Sequence, residues 1–395
     1  MYPISRRKLI KTGAALAGST LLGGLALAQQ REPIKIGLVV SYSGPFARLG
    51  QEITRGMELA FERVGGQVAG RSLQIIREDE ETDPAVALRK VRKLVEQDRV
   101  DLLAGIILTP SAYAVRDYVH ERRIPLIIAN AAANGVTRGA SKSPFLFRTS
   151  ITAWQQHFPF GSWVANNVSK RVFILAMDYG FGREAIAAFK DSYTAAGGQV
   201  IGEVFTPLGS LDLSAALTRV AAARPEALFA VYSGSDAVIF LRQFAQFGLN
   251  RSIKLAVSGE VTDENVLEAV GNEALGALSC DHWVYNLNST ANRQFVEAYR
   301  SRYRSIPNHF AVRGYDTGQV ILDALNLARS DTSDKARLAS FIRQAKIISP
   351  RGFFEFDPQT QNAIQNVYVR EVVRINEGFA NRLVANMGRI QDPDS

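Results

Sequence analysis

Three clusters in this chain carry residue types that chemistry uses, and each falls short of a catalyst. Cys280 stands two residues before His282, a spacing that puts both side chains on one face of a strand, and a thiol near an imidazole is a nucleophile in principle. Ala277 and Leu278 lead into them as a buried strand does, so Cys280 reads as core. Gly180-Phe181-Gly182-Arg183-Glu184-Ala185 follows an apolar run and opens a helix, with Glu203 after the next strand, in the order of a loose dinucleotide fingerprint. Ala185 replaces the third glycine and Glu184 puts negative charge where a pyrophosphate would sit, so a tight strand-to-helix turn explains the glycines better. Asp79-Glu80-Glu81-Thr82-Asp83 has the acids to hold a divalent cation or a general base, but a solvated turn in which Asp83 caps the next helix is the simpler expectation. His120, His157, His282 and His309 lie far apart, and none is paired with acids at a metal-ligand spacing. No Gly-x-Ser-x-Gly elbow, phosphate-binding Gly-x-x-x-x-Gly-Lys-Ser/Thr loop or His-Glu-x-x-His is present. The expectation is a protein without catalytic residues, metal or cofactor.

A second set of residues suits binding. Ser41-Tyr42-Ser43-Gly44-Pro45, Thr109-Pro110-Ser111 and Asn130-Ala131-Ala132-Ala133-Asn134 follow apolar runs in the first half. Asp178-Tyr179-Gly180, Ser233-Gly234-Ser235 and Ser258-Gly259-Glu260 do so in the second. Hydroxyls and free N–H groups at helix starts suit a carboxylate, and Glu260 suits an ammonium group. Any one of these is an ordinary cap or turn; six together point to a shared cleft.

The elements that would carry these loops alternate strand and helix. Strands are expected at 34–40, 73–76, 102–106 and 124–129, with helices at 50–64, from Asp83-Pro84 onward and at 111–122. After 145–148 the series restarts, with strands at 171–177, 199–205, 227–232 and 253–257 between helices at 152–167, 183–196, 213–223, 236–247 and 263–270. Continuous apolar runs mark strands covered on both faces, so each half is expected to be a parallel sheet wrapped by helices. The tail reads as helices 290–304, 309–329 and 335–345, then strand-like runs at 352–356 and 366–375 that return to the earlier sheets. A chain of 395 residues exceeds what one core fills, and two lobes are expected, with crossings near 148–150, 281–285 and 349–352.

Ser5-Arg6-Arg7-Lys8-Leu9-Ile10-Lys11, an apolar Gly/Ala-rich stretch and Ala26-Leu27-Ala28 read as a twin-arginine export signal over residues 1–28, cut after about Ala28. Four glycines break up a stretch too short to span a bilayer. The signal accounts for four of the eight net positive charges, and basic residues elsewhere are scattered among acids, which leaves no footprint for nucleic acid. With Cys280 the only cysteine, no intramolecular disulfide is possible.

On these residues the chain resembles the exported solute-binding proteins of branched-chain amino-acid type ABC transporters, the leucine/isoleucine/valine-binding family. The resemblance runs over 34–375 through Ile34-Lys35-Ile36-Gly37, Ser43-Gly44-Pro45, Gly65-Gly66, Asp83-Pro84, Tyr179-Gly180-x-Gly182, Leu241-Arg242-Gln243 and Gly259-Glu260. It implies an α/β type I periplasmic binding fold, two Rossmann-like lobes with parallel-sheet cores joined by three hinge crossings. Lobe 1 would hold 34–148 plus 284–350, and lobe 2 would hold 149–283 plus 351–395. It also implies ligand contacts at Thr109, Ser111, Asn130, Ala131, Ala132, Tyr179, Ser233, Ser235 and Glu260, the last as partner of an α-ammonium group. Leu49 stands where the family has an aromatic wall, and Ala132 where it has a hydroxyl. Asn130 to Asn134 with Thr152-Ala153-Trp154-Gln155 is similar to relatives that take aromatic carboxylates. The expected function is capture of a small carboxylate-bearing solute in the periplasm by a monomer, and delivery to membrane permease subunits. An apolar amino acid ranks first as ligand, an aromatic acid second and an amide third. An exported sensor for a receptor partner is the alternative, and a nucleotide-dependent enzyme using 180–185 a more distant one.

Overall fold

The computed structural model describes residues 32–393, Glu377 excepted, so the export signal read over 1–28 lies outside the described residues. The chain opens with β1 (Ile34–Val40), α1 (Ala47–Glu62), β2 (Gln67–Val68), β3 (Arg71–Asp79), α2 (Pro84–Glu96), β4 (Leu102–Gly105), α3 (Thr109–Arg122), β5 (Leu126–Ile128) and β6 (Leu146–Arg148). β1, β4, β5 and β6 are almost wholly apolar and buried, as strands covered on both faces must be. They pair in the order β3-β1-β4-β5-β6, all parallel, with β2 added antiparallel at the edge. Asp83 caps α2 by accepting from the Ala85 and Val86 N–H groups, with Pro84 in the first turn, as its sequence predicts.

The second series is α4 (Ala153–Asn167), β7 (Arg171–Met177), α5 (Gly180–Ala195), β8 (Gln199–Thr206), α6 (Ser214–Ala223), β9 (Ala227–Val231), α7 (Gly234–Gln246), β10 (Lys254–Ser258), α8 (Glu264–Val270) and β11 (Leu278–Asp281). Its parallel strands take the order β8-β7-β9-β10-β11, which repeats the winding of the first sheet. Each sheet therefore has a reversal of strand order beside its first strand, where the following loops part and leave a crevice.

The tail adds α9 (Thr290–Tyr303), α10 (His309–Leu327), α11 (Lys335–Gln344), β12 (Lys346–Ser349), β13 (Gly352–Phe356), β14 (Ala363–Ile375) and β15 (Gly378–Ile390). β14 pairs antiparallel with β11, with β13 and with β15, and β13 pairs with β12, so the late strands all complete the second sheet. β12 and β15 are absent from the sequence reading. β12 alternates buried and exposed residues, β15 is mostly half-buried or exposed, and both lie on antiparallel edges without the continuous apolar signal of the central strands.

α10 packs along α1, so the tail helices return to the first sheet before the chain rejoins the second. The approach is close because small residues face each other. A Cβ on Gly314 would sit 2.0 Å from the Ile53 carbonyl oxygen, and one on Gly56 would sit 2.0 Å from that of Ala311. The junctions of the two halves also meet: Arg351 donates to the Thr149 carbonyl at 2.6 Å and pairs with Asp316 of α10 at 2.7 Å, and Thr149 and Thr317 hydroxyls lie 2.7 Å apart. Because neither helix can retreat without dragging these contacts, Gly314→Val is expected to lower the unfolding free energy by about 2 kcal/mol. An unchanged midpoint in a urea titration would show that α1 and α10 separate freely.

Candidate functional site

The two reversal points face one small cavity, with an atom-free space of about 350 Å³ that includes its mouth. From the first sheet, Phe46 and Leu49 reach it from the segment after β1, Ile107, Leu108 and Thr109 from that after β4, and Asn130 and Ala132 from that after β5. From the second, Tyr179 and Phe181 come from the turn after β7, Ser233 from that after β9 and Glu260 from that after β10. Arg313 of α10 closes the lining. α3 starts at Thr109, α5 at Gly180 and α7 at Gly234, so three helix N-termini converge at this place with their partial positive charge.

The polar side of the cavity is one buried network. Arg313 is 1% exposed; it donates to Asn130 Oδ1 at 2.6 Å and lies 3.4 Å from Glu260 Oε1 and 3.8 Å from Asp281 Oδ1. Glu260 also accepts from Gln156 Nε2 at 3.1 Å. Asn130 turns its amide to the Ile107 carbonyl at 2.9 Å, so the guanidinium is linked to the segment after β4. Behind Glu260, Asp281 is buried between His282, His309 and Arg370. Burial alone would raise its carboxyl, but these cationic and donor neighbours hold it well below the usual carboxylate range.

Glu260, Asp281 and His309 bring three ligating atoms within 4.8 Å of one another, the only such cluster among the described residues. Arg313 and Arg370 already lie against those two carboxylates, which balances their charge without a metal ion. Burial pushes the Cys280 thiol well above its ordinary value, so it stays protonated in the core of the second sheet. Glycine at 182 answers a local need: a Cβ there would lie 2.2 Å from the Met177 carbonyl oxygen, the close strand-to-helix turn of β7 into α5. Glu184 accepts from the Asn134 N–H across the cleft.

Of the residues expected from the sequence, Leu49, Thr109, Asn130, Ala132, Tyr179, Ser233 and Glu260 line the cavity, and Ser111, Ala131 and Ser235 do not. Ser111 is fully buried within α3. Ala131 spends its N–H on the Ile106 carbonyl, and the Ser235 hydroxyl turns to Asp236 at 3.5 Å. Phe46, Ile107, Leu108, Phe181 and Arg313 are cavity residues that sequence reasoning missed. Phe46 follows directly on the quoted Ser43-Gly44-Pro45, and Phe181 sits inside the glycine pair, so both carried a positional signal; Arg313 carried none.

The chain's residues 33–378 match the family model described as periplasmic binding protein. The chain belongs to the periplasmic binding protein family. This periplasmic binding protein is 30% identical over 388 residues to a Leu/Ile/Val-binding protein homolog 6 of Brucella melitensis, an alignment covering 96% of this chain and 98% of the other. It is similar to a solute-binding protein of an ABC transporter from Rhodopseudomonas palustris BisB5 solved in complex with 3,4-dihydroxybenzoic acid. The TM-score is 0.87 at 32% identity, over 92% of this chain and 99% of that one. A second solute-binding protein from R. palustris, solved with benzoate, superposes with a TM-score of 0.86 at 30% identity, over 92% and 99%. The fold is thus that of ABC-transporter solute-binding proteins, and no helix among the described residues is long and apolar enough to cross a membrane.

Removing one member of the buried pair in this periplasmic binding protein leaves the other's charge unsolvated. Arg313→Met is expected to destabilise it by about 3 kcal/mol, and adding Glu260→Gln to recover part of that loss. Strictly additive losses in a double-mutant cycle by chemical denaturation would show that the two groups do not interact.

Proposed function

We propose that this protein captures a small aromatic carboxylate of the benzoate class outside the cytoplasmic membrane and delivers it to the permease subunits of an ABC importer. The observation that carries this reading is the state of Glu260. Its carboxylate is already engaged by Arg313 and Gln156, so it is not a free partner for an α-ammonium group. The two ionised lining groups cancel, and the three converging helix N-termini favour an anion. Phe46, Tyr179 and Phe181 with Leu49, Ile107 and Leu108 supply flat and apolar walls for a ring. The similarity to proteins solved with benzoate and 3,4-dihydroxybenzoic acid supports the same ligand class.

In this reading Thr109, Asn130, Ser233 and Arg313 orient the ligand, and the lobes 34–148 plus 284–350 and 149–283 plus 351–395 close on it about the junctions at Thr149 and Arg351. The exported form begins after about Ala28 and acts as a monomer in the periplasm.

Calorimetry with benzoate, 3,4-dihydroxybenzoate and leucine tests the ligand class. The two aromatic acids are expected to bind and leucine is not; binding of leucine alone would return the site to an amino acid. Glu260→Gln separates the same alternatives by a different route. It should leave benzoate affinity unchanged or tighter, because Arg313 is freed, whereas an ammonium-bearing ligand would lose about 2 kcal/mol. X-ray scattering should show a smaller radius of gyration with benzoate bound, and an identical radius would rule out lobe closure.

A further inference from the structure

Glu80 behaves unlike the acids around it. The sequence places it in a solvated turn, which holds for the exposed Glu81 and Asp83 and fails at Glu80, which is 0% exposed. Its carboxyl group ties separate elements together. Ser41, in the segment after β1, donates to Oε1 at 2.9 Å, and the Ile107 N–H, in the segment after β4, donates to the same oxygen at 3.0 Å. Ser111 of α3 lies close enough to stabilise its charge, yet Ser111 Oγ and Glu80 Oε2 both lack a well-formed hydrogen bond.

What Glu80 holds is a strained ledge whose other side is the cavity wall. Gly105 has φ +114° and Ile106 has φ +62°, the left-handed region that a β-branched side chain avoids. Such a turn persists only where its surroundings over-determine it. Here the Ile106 N–H reaches the Val39 carbonyl, Asn130 holds the Ile107 carbonyl and Glu80 holds the Ile107 N–H from behind. Ile107, Leu108 and Thr109 present the front of this ledge to the cavity.

Among the described residues, no ionised side chain lies in contact with Glu80. The segment after β1 offers Ser41, that after β4 offers the Ile107 and Leu108 N–H groups, and α3 offers Ser111. On its own turn, Asp79 faces the Tyr42 and Glu81 N–H groups, and Glu81 and Asp83 face solvent. Burial accordingly pushes the Glu80 carboxyl up to about 7.

We propose that Glu80 is a positioning residue that grips the 105–109 ledge from behind and takes up a proton from solvent when an anion settles on the ledge's front. The second clause rests on the carboxylate reading of the site; the first does not. An ionised Glu80 and a bound carboxylate would be like charges on opposite sides of one loop in a water-poor interior, and protonation of Glu80 removes the repulsion. The free protein should show the same group. Its folded value near 7 exceeds the ordinary 4.5, so the folded chain binds more protons than the unfolded one between those values. Glu80 therefore makes stability fall as pH rises across that window.

The test uses the protein without its signal, as wild type and Glu80→Gln. In the ligand-free wild type the Ile107 amide resonance is expected to titrate near pH 7, and in Glu80→Gln to stay flat, with Gln losing less stability than wild type as pH rises from 5 to 7.5. An Ile107 amide that titrates alike in both proteins, or in neither, overturns the positioning role whether or not any aromatic acid binds. If Glu80→Gln fails to fold, Ser41→Ala replaces it: loss of one donor to the ionised form should move the Ile107 midpoint upward, and an unmoved midpoint counts against the proposal. Benzoate calorimetry at pH 7 in phosphate and in Tris then measures proton exchange. Uptake of a fraction of a proton by wild type and none by Glu80→Gln is expected, and equal exchange in both overturns the coupling. A wild type whose Ile107 titrates but which binds no benzoate or dihydroxybenzoate supports the grip and sinks the ligand reading together with the coupling.

Discussion

The site depends on one buried cation. Arg313 lies where the helices of the first half meet the strand ends of the second, and it is almost wholly withdrawn from bulk solvent. A guanidinium in that position is tolerable only while carboxylates and carbonyl-type acceptors surround it, and Glu260, Asp281 and Asn130 do so from different elements. The requirement runs in both directions. Glu260 and Asp281 would be equally costly alone, so the positions of α10, of the turn after β10 and of the end of β11 are fixed together. α10 in turn keeps its place because glycines let it lie directly on α1. A packing constraint thus sets an electrostatic one, and the electrostatic one sets the polar wall of the cavity.

The apolar wall has a separate origin, in topology. Both sheets wind in the same order, so both have a reversal at the carboxyl end of their first strand. Phe46 and Leu49 with Ile107 to Thr109 flank one reversal, and Tyr179 and Phe181 with Ser233 flank the other. Neither sheet alone encloses a ligand. Facing each other, they give a cavity lined by strand-end segments of both, with side chains from each sheet on opposite sides of any solute that enters.

Much of this is legible in the sequence, for identifiable reasons. A parallel strand covered on both faces must be apolar throughout, so β1, β4, β7 and β9 announce themselves, and Asp83-Pro84 marks a helix start by its own chemistry. Strand-end loops follow from the strands, which is why seven expected residues line one cavity. β12 and β15 do not stand out, because an edge strand needs only half an apolar pattern. Arg313 looks like any arginine in an amphipathic helix, since its meaning lies in residues 53 and 183 positions away that only the fold brings near. Glu80 was hidden differently. It sits among acids that do face water, and a sequence does not show which member of such a run turns inward.

The charge arithmetic of the cleft bears most directly on what it holds. An amino acid brings both signs and needs a free anion for its ammonium group, but here the anion is spoken for by Arg313 and Gln156. A simple carboxylate brings one sign, and the cavity offers it helix N-termini, hydroxyls, an amide and a guanidinium. Admitting it leaves one uncompensated negative charge in a nearly dry space, and Glu80, behind the ledge at the cavity wall, is a group that relieves that charge by gaining a proton. The same carboxyl group that makes the strained turn possible is therefore the one whose protonation the ligand should alter, so the shape of the cleft and its response to pH have a common cause.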